Sequence, residues 1–172
     1  MSVTVRTYHH AVDYDRVDRF LREVYEPSDR LLNWLPPRWE YMHHHPFIEN
    51  LDLTTIAVYE EGEKIVGVAH PEDKPTFIYF QRRTDYDHIL PLMFDHADEY
   101  FGGPSIMLER NIIGLFVSEF DTALESVAAE RGYEMLPGYA EGYSRLRLDG
   151  PIPLAPLPDG FRLQSLVEEN DQ

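Results

Sequence analysis

Three short apolar stretches in close succession between Leu53 and Phe80 constrain the fold more than any other part of the chain. Leu53 to Tyr59 is rich in β-branched residues and runs into Glu60-Glu61-Gly62-Glu63, a turn signal; Ile65 to Ala69 then resumes the pattern. The pair predicts a β-hairpin, and Thr76 to Phe80 a third strand beside it. What precedes and follows this run has a different period.

Before it, Val3 to Tyr8 alternates as a strand, and Asp13 is placed to cap a helix with Val17, Phe20, Leu21 and Val24 on one face. Pro27 stops that helix, and Pro36-Pro37 starts a second, shorter one carrying Trp39, Glu40, Tyr41 and Met42 and ending before Pro46. After it, a helix starts between Asp87 and Pro91, with Ile89, Leu92, Met93, Ala97 and Tyr100 facing inward. Gly102-Gly103-Pro104 ends it, and Ser105 to Leu108 returns as a strand. A last helix has Ser118 as its cap, Asp121 three residues on, a stripe of Phe120, Leu124, Val127 and Ala128, and Gly132 as its left-handed close. Tyr139 to Leu148 predicts a terminal strand.

Gly150 to Pro158 holds four prolines in nine residues, a stiff linker. Beyond it, Phe161 to Leu166 and the acids that follow echo Val3 to Tyr8 and the acids after it. The organisation expected is a domain over 1–149, a linker over 150–160 and, over 161–172, the start of a second, truncated copy. A disordered acidic tail is the alternative for that last segment.

Composition narrows the function classes. The chain has 172 residues, 43% of them hydrophobic and 27% charged, as in an ordinary soluble globular protein. It has no cysteine, which excludes disulfides, thiolate metal sites and a cysteine nucleophile. Fifteen Lys and Arg against 31 Asp and Glu give a net charge of −16, a field that opposes nucleic acid and anionic membranes. No apolar run has the length of a membrane span or the core of a signal peptide, so the cytoplasm is the default location.

The order strand, helix, helix, three strands, helix, strand, helix, strand resembles that of the GNAT acyltransferases, which use acetyl-CoA to acetylate amines. The similarity spans Val3 to Leu148. Its most specific local piece is Leu124-Glu125-Ser126-Val127-Ala128-Ala129-Glu130-Arg131-Gly132-Tyr133-Glu134, which looks like the family's last helix and its Gly-aromatic-acid ending. The resemblance implies an α/β (α+β) fold, a mixed and mostly antiparallel sheet with helices on both faces. It also implies that the central strand splays from its neighbour and that the pantetheine arm of acetyl-CoA pairs with the exposed backbone in the gap.

In that family the following turn reads Arg/Gln-x-x-Gly-x-Gly/Ala, and its N–H groups cradle the pyrophosphate at a helix N-terminus. Gln81 would stand for the first residue, and Arg82 and Arg83 are further candidates for the phosphates; Thr84, Asp85, Asp87 and His88 replace the glycines. Side chains there block close backbone approach, and Asp85 and Asp87 put negative charge where a diphosphate would arrive or cap the helix themselves. Like charges about 4 Å apart repel by roughly 4 kcal/mol at an effective dielectric near 20. Arg82 and Arg83 would face opposite sides of an extended segment, and pairing with the two aspartates competes with phosphate binding. The tyrosine that protonates the departing thiolate in many members matches Ala128 here, which leaves Tyr133 and Tyr79 as alternatives and no assigned catalytic residue.

Trp34, Trp39 and Tyr41 fall in the segment that covers the acceptor side in the family. With Tyr79 they would line a pocket for an amine, or pack as a lid. His43-His44-His45, with Glu40 and Glu49, would supply zinc ligands; the alternative is a solvated helix end, and no metal is expected. Asp13/Asp15 and Asp98/Glu99 read as caps and solvated faces, and no Gly-x-Ser-x-Gly elbow marks a serine hydrolase. Three functions follow. One is an N-terminal, cofactor-site-degenerate domain whose chemistry lies in a second GNAT-like domain of the same parent chain. The second is a self-sufficient acetyltransferase with an atypical phosphate loop. The third is a non-catalytic interaction module, a homo-oligomer among the outcomes.

Overall fold

The structure of the protein, a computed structural model, describes residues 2–28, 30–45, 51–105, 108–136, 138, 150 and 156–162. The chain divides into two compact units, Met1–Glu134 and Met135–Gln172. In the second, the described residues include a turn in which the Phe161 N–H donates to the Pro158 carbonyl at 3.1 Å. The terminal strand expected over Tyr139 to Leu148 lies outside the described residues, as does all but Phe161 and Arg162 of the strand expected after the linker.

The first unit is a mixed α/β fold. In chain order it runs β1 (Thr4–Thr7), α1 (His10–Glu23), α2 (Pro36–His44), β2 (Ala57–Glu61), β3 (Lys64–Pro71), β4 (Phe77–Arg82), α3 (Leu90–Tyr100), β5 (Gly103–Ser105), β6 (Arg110–Ile112), β7 (Gly114–Leu115) and α4 (Thr122–Glu130). Five strands form one sheet in the order β1-β2-β3-β4-β7, antiparallel throughout except for the parallel pair β4–β7; β5 and β6 form a separate hairpin. The mostly antiparallel sheet agrees with the sequence. No helix among the described residues is long and apolar enough to cross a membrane.

The helices divide between the two faces of the sheet. On one, α1 and α2 bring Val17, Phe20, Leu21, Trp39 and Met42 onto Val58, Val68 and Tyr79. On the other, α3 and α4 bring Leu90, Met93, Phe94, Leu124 and Ala128 onto Tyr59, Ile78 and Phe80. Pleat alternation accounts for the division along β4, where Ile78 and Phe80 face one way and Tyr79 the other. On β3 the register jumps from Tyr59↔Gly67 to Glu60↔Ile65, leaving Val66 unpaired. This bulge turns Ile65 and Glu60 toward α1.

Several boundaries differ from the sequence reading. His9, not Asp13, precedes the first turn of α1; Asp13 lies inside the helix and accepts the His9 N–H at 2.9 Å. Leu53–Thr55 forms a 3-10 turn closed by the Asp52 side chain, so β2 begins at Ala57. Asp121, not Ser118, caps α4, taking the Leu124 N–H at 3.1 Å. Phe120 therefore precedes the helix and is exposed rather than part of its buried stripe. The left-handed close of α4 at Gly132 is as expected, with φ 81°.

Candidate functional site

β4 is six residues long but shares only two pairs with β7, Phe77↔Gly114 and Ile78↔Leu115. Beyond them the chain leaves through Phe116 toward α4, and Tyr79 to Arg82 have no ladder partner on that side among the described residues. A cleft opens there between β4, the α1–α2 connection and the start of α4. Phe80, Gln81, Arg82, Leu32, Phe116 and Asp121 are among its walls. Its volume open to the centre of a water molecule is about 20 Å³, room for about one water.

The protein's own side chains hold the cleft narrow. Arg82 crosses it with a two-pronged bridge to Asp121, at 2.8 Å from Nη1 to Oδ2 and 2.7 Å from Nη2 to Oδ1. Both side chains are almost fully buried, 6% and 7% exposed. Arg82 also pairs with Asp87 at 2.7 Å. Arg83 points to the opposite face, where it pairs with Glu23, donates to the Ile65 carbonyl and lies over Phe20. Of the three residues proposed for the phosphates, then, the structure does not bring Arg82 and Arg83 together. Gln81 is buried in the cleft wall, its Nε2 amide without a partner among the described residues.

At the start of α3 no side chain caps the helix. Capping by Asp85 or Asp87 is therefore corrected: Asp87 is held by Arg82, and Asp85 is exposed. The turn is anchored from within, by the Arg83 N–H on the Val66 carbonyl and by Tyr86, whose hydroxyl donates to Glu61 at 2.8 Å.

On the α1/α2 face a second group forms around His70. The imidazole is fully buried, its Nδ1 is 2.8 Å from the Pro71 carbonyl, and burial pushes its pKa down to about 4. A neutral ring with its proton on Nδ1 fits that contact and leaves Nε2 as a bare acceptor. Trp34, Trp39 and Tyr79 surround it with ring centroids 4.5, 5.7 and 5.7 Å away. Among the described residues, the indole N–H groups of Trp34 and Trp39 and the His70 Nε2 have no hydrogen-bond partner. At the rim, Arg38 pairs with Glu72, and the Tyr79 hydroxyl lies 3.3 Å from the same carboxylate.

The structure therefore brings two of the three pocket candidates, Trp39 and Tyr79, around one buried histidine. Tyr41 is half exposed and stacks on His45 instead. The two alternative proton donors fall on opposite faces of the sheet. Tyr79 contacts His70, whereas Tyr133 packs on Phe94 and is pushed up to about 12, mainly by burial. His70, Arg38, Glu72 and Asp121 were not identified as site residues from sequence. The contact pairs are 34 and 39 residues apart in the chain, with no local signature.

Within the histidine run, His43 serves packing, whereas His44 is exposed. His43 places Nδ1 on the Trp39 carbonyl at 2.7 Å and Nε2 on the Tyr8 hydroxyl at 3.0 Å, and burial holds it neutral with a pKa near 4. The solvated helix end expected here is thus corrected for His43, which is partly buried and neutral. No group of metal-ligating side chains converges among the described residues. Asp13, read as a cap or solvated face, and Glu60, read as part of a turn, are buried between Arg6 and Arg16. Burial raises the Asp13 pKa, but Arg6, the His9 N–H and Arg16 outweigh it and bring it to about 2.

No protein-family model matches the sequence, and no curated protein matches it. Solved structures that align over most of the chain include two whose likeness is one of fold alone. One is a transcriptional regulator from Bacillus halodurans C-125, 13% identical over 85% of this chain and 100% of its own, with a TM-score of 0.45. The other is a possible acetyltransferase from Clostridium difficile 630, 16% identical over 86% of this chain and 100% of its own, with a TM-score of 0.44.

Proposed function

We propose that this chain is a GNAT-like domain whose cofactor cleft is closed, the N-terminal part of an N-acetyltransferase. Acetyl transfer from acetyl-CoA to an amine then takes place in a second domain of the same parent chain. The observation that carries this reading is the buried Arg82–Asp121 bridge across the gap between β4 and the chain beyond β7. An open strand edge in such a gap offers backbone hydrogen bonds to an extended ligand arm. Here an ion pair spans the gap and its free volume is that of a water.

The electrostatic part of the closure is smaller than the sequence implied. Asp87 is offset only in part by Arg82, which it shares with Asp121, and its side chain is 50% exposed; Asp85 is exposed as well. Steric closure by Arg82, Asp121 and side chains in place of glycine is the stronger contribution. The rival, a self-sufficient enzyme gripping phosphates with Arg82 and Arg83, requires both guanidiniums to leave buried or partly buried ion pairs and converge from opposite faces.

Isothermal titration of the chain with acetyl-CoA is expected to give no heat beyond dilution. Saturable binding at micromolar concentration would overturn the closed-cleft reading.

A further inference from the structure

Arg38 occupies a socket that joins Trp34, in the segment just before its helix, to Glu72 and Tyr79, 34 and 41 residues further along. Its guanidinium carbon lies 4.0 Å from the centroid of the Trp34 ring and 5.2 Å from that of Tyr79. Nε and Nη2 donate to the two oxygens of Glu72, both at 2.5 Å, and the Tyr79 hydroxyl stands 3.4 Å from Nη2. Two aromatic faces and a two-pronged carboxylate are the elements that recognise a planar cation.

The exposures in this cluster are asymmetric. Trp34 and Tyr79 are buried, 2% and 5% exposed, with their rings 4.4 Å apart and backed by His70. The Arg38 side chain is 42% exposed. The walls are thus fixed in the core, and the cation is the part that faces water. Arg38 is also not what holds its helix: α2 is anchored by the buried Trp39 and Met42.

The geometry points to a cation-recognition site formed by Trp34, Tyr79 and Glu72, which Arg38 fills in cis and from which a ligand bearing an alkylguanidinium group displaces it. This goes beyond the acyl-transfer reading and does not depend on whether the neighbouring cleft takes a cofactor. A tethered side chain acts as a competitor at an effective concentration of about millimolar or more. The unmodified chain therefore excludes weak cations and admits ligands that make further contacts.

The test unplugs the site in the full chain. Arg38→Ala, and Arg38→Met, which keeps an apolar stem on Trp34, are titrated with methylguanidinium chloride against matched sodium chloride. Melting temperature and tryptophan emission are followed; the chain has two tryptophans, and Trp34 is the one in the site. Saturable stabilisation with a half-point in the millimolar range is expected for both variants, and a response at least about tenfold weaker when Glu72→Gln is added. Methylammonium, which cannot present two parallel donors, is expected to bind more weakly than methylguanidinium. The proposal is overturned if neither variant responds beyond the salt control, if Glu72→Gln leaves the response unchanged, or if methylammonium binds equally. It also fails if neither Arg38 variant folds, because Arg38 is then a structural member and not a displaceable plug.

Discussion

His70 shows how one buried side chain sets a response of the whole protein. Its pKa falls from an ordinary 6.5 to about 4 through burial, so the folded state binds fewer protons than the unfolded state between these values. Stability is full above pH 6.5 and is lost as the pH falls toward 4. By pH 5 the loss from this residue is about 2 kcal/mol. Urea unfolding at pH 7.5 and pH 5 is expected to show at least that loss in the native chain, with His43 contributing in the same direction, and a shallower pH dependence in His70→Leu; equal slopes would remove His70 as a source. Nothing local in the sequence marks this residue, because its burial depends on Trp34 and Trp39 arriving from another segment. Arg82 and Arg83, by contrast, were legible as facing opposite ways, since pleat alternation alone dictates it. Their partners, Asp121 and Glu23, were not legible, because those contacts depend on how helices pack.

At the scale of elements, the meander β2-β3-β4 and the four helices were readable from periodicity and turn chemistry. Three misreadings fall where a side chain competed for a backbone N–H: Asp52, Asp13 and Asp121 each moved a boundary by bonding it. Two others have no such cause: in place of one strand from Ser105 to Leu108, β5 ends at Ser105 and pairs with β6, and Leu92 and Tyr100, expected to face inward, are exposed. The Arg82–Asp121 bridge ties β4 to α4, and each partner is costly alone. Arg82→Met leaves a buried carboxylate unpaired from its guanidinium and is expected to cost about 3–5 kcal/mol. Arg82→Met combined with Asp121→Asn, which keeps a capping side chain, is expected to cost clearly less than the sum of the single changes, as read from a double-mutant cycle in urea. Additivity would mean that the bridge contributes nothing to the closure. The β4–β7 junction is equally tight. A Cβ at Gly114 would lie 2.5 Å from the Phe77 ring, so Gly114→Ala is expected to destabilise by about 1–3 kcal/mol in the same assay. No loss would show that the two-pair ladder yields freely.

For the whole molecule, the net charge of −16 gains meaning from where the cations sit. Arg6, Arg16, Arg22, Arg38, Arg82, Arg83 and Arg131 all pair with carboxylates, so the excess acid is what an approaching polyanion meets. The fold class was legible because periodicity and chain order determine it. The closed cleft was legible only as a turn without glycines, since its bridging carboxylate comes from 39 residues further along. That separation has a consequence for how the molecule forms. β2, β3 and β4 meet through short local connections, whereas β7 reaches β4 only after the chain has passed through α3 and the β5–β6 hairpin. Closing so long a loop carries an entropic cost that two ladder pairs, the Arg82 bridge and the packing of Leu124 and Ala128 offset. The parallel strand is therefore expected to be the last rung to zip onto the sheet, so that the gap beside β4 would acquire its width late in folding.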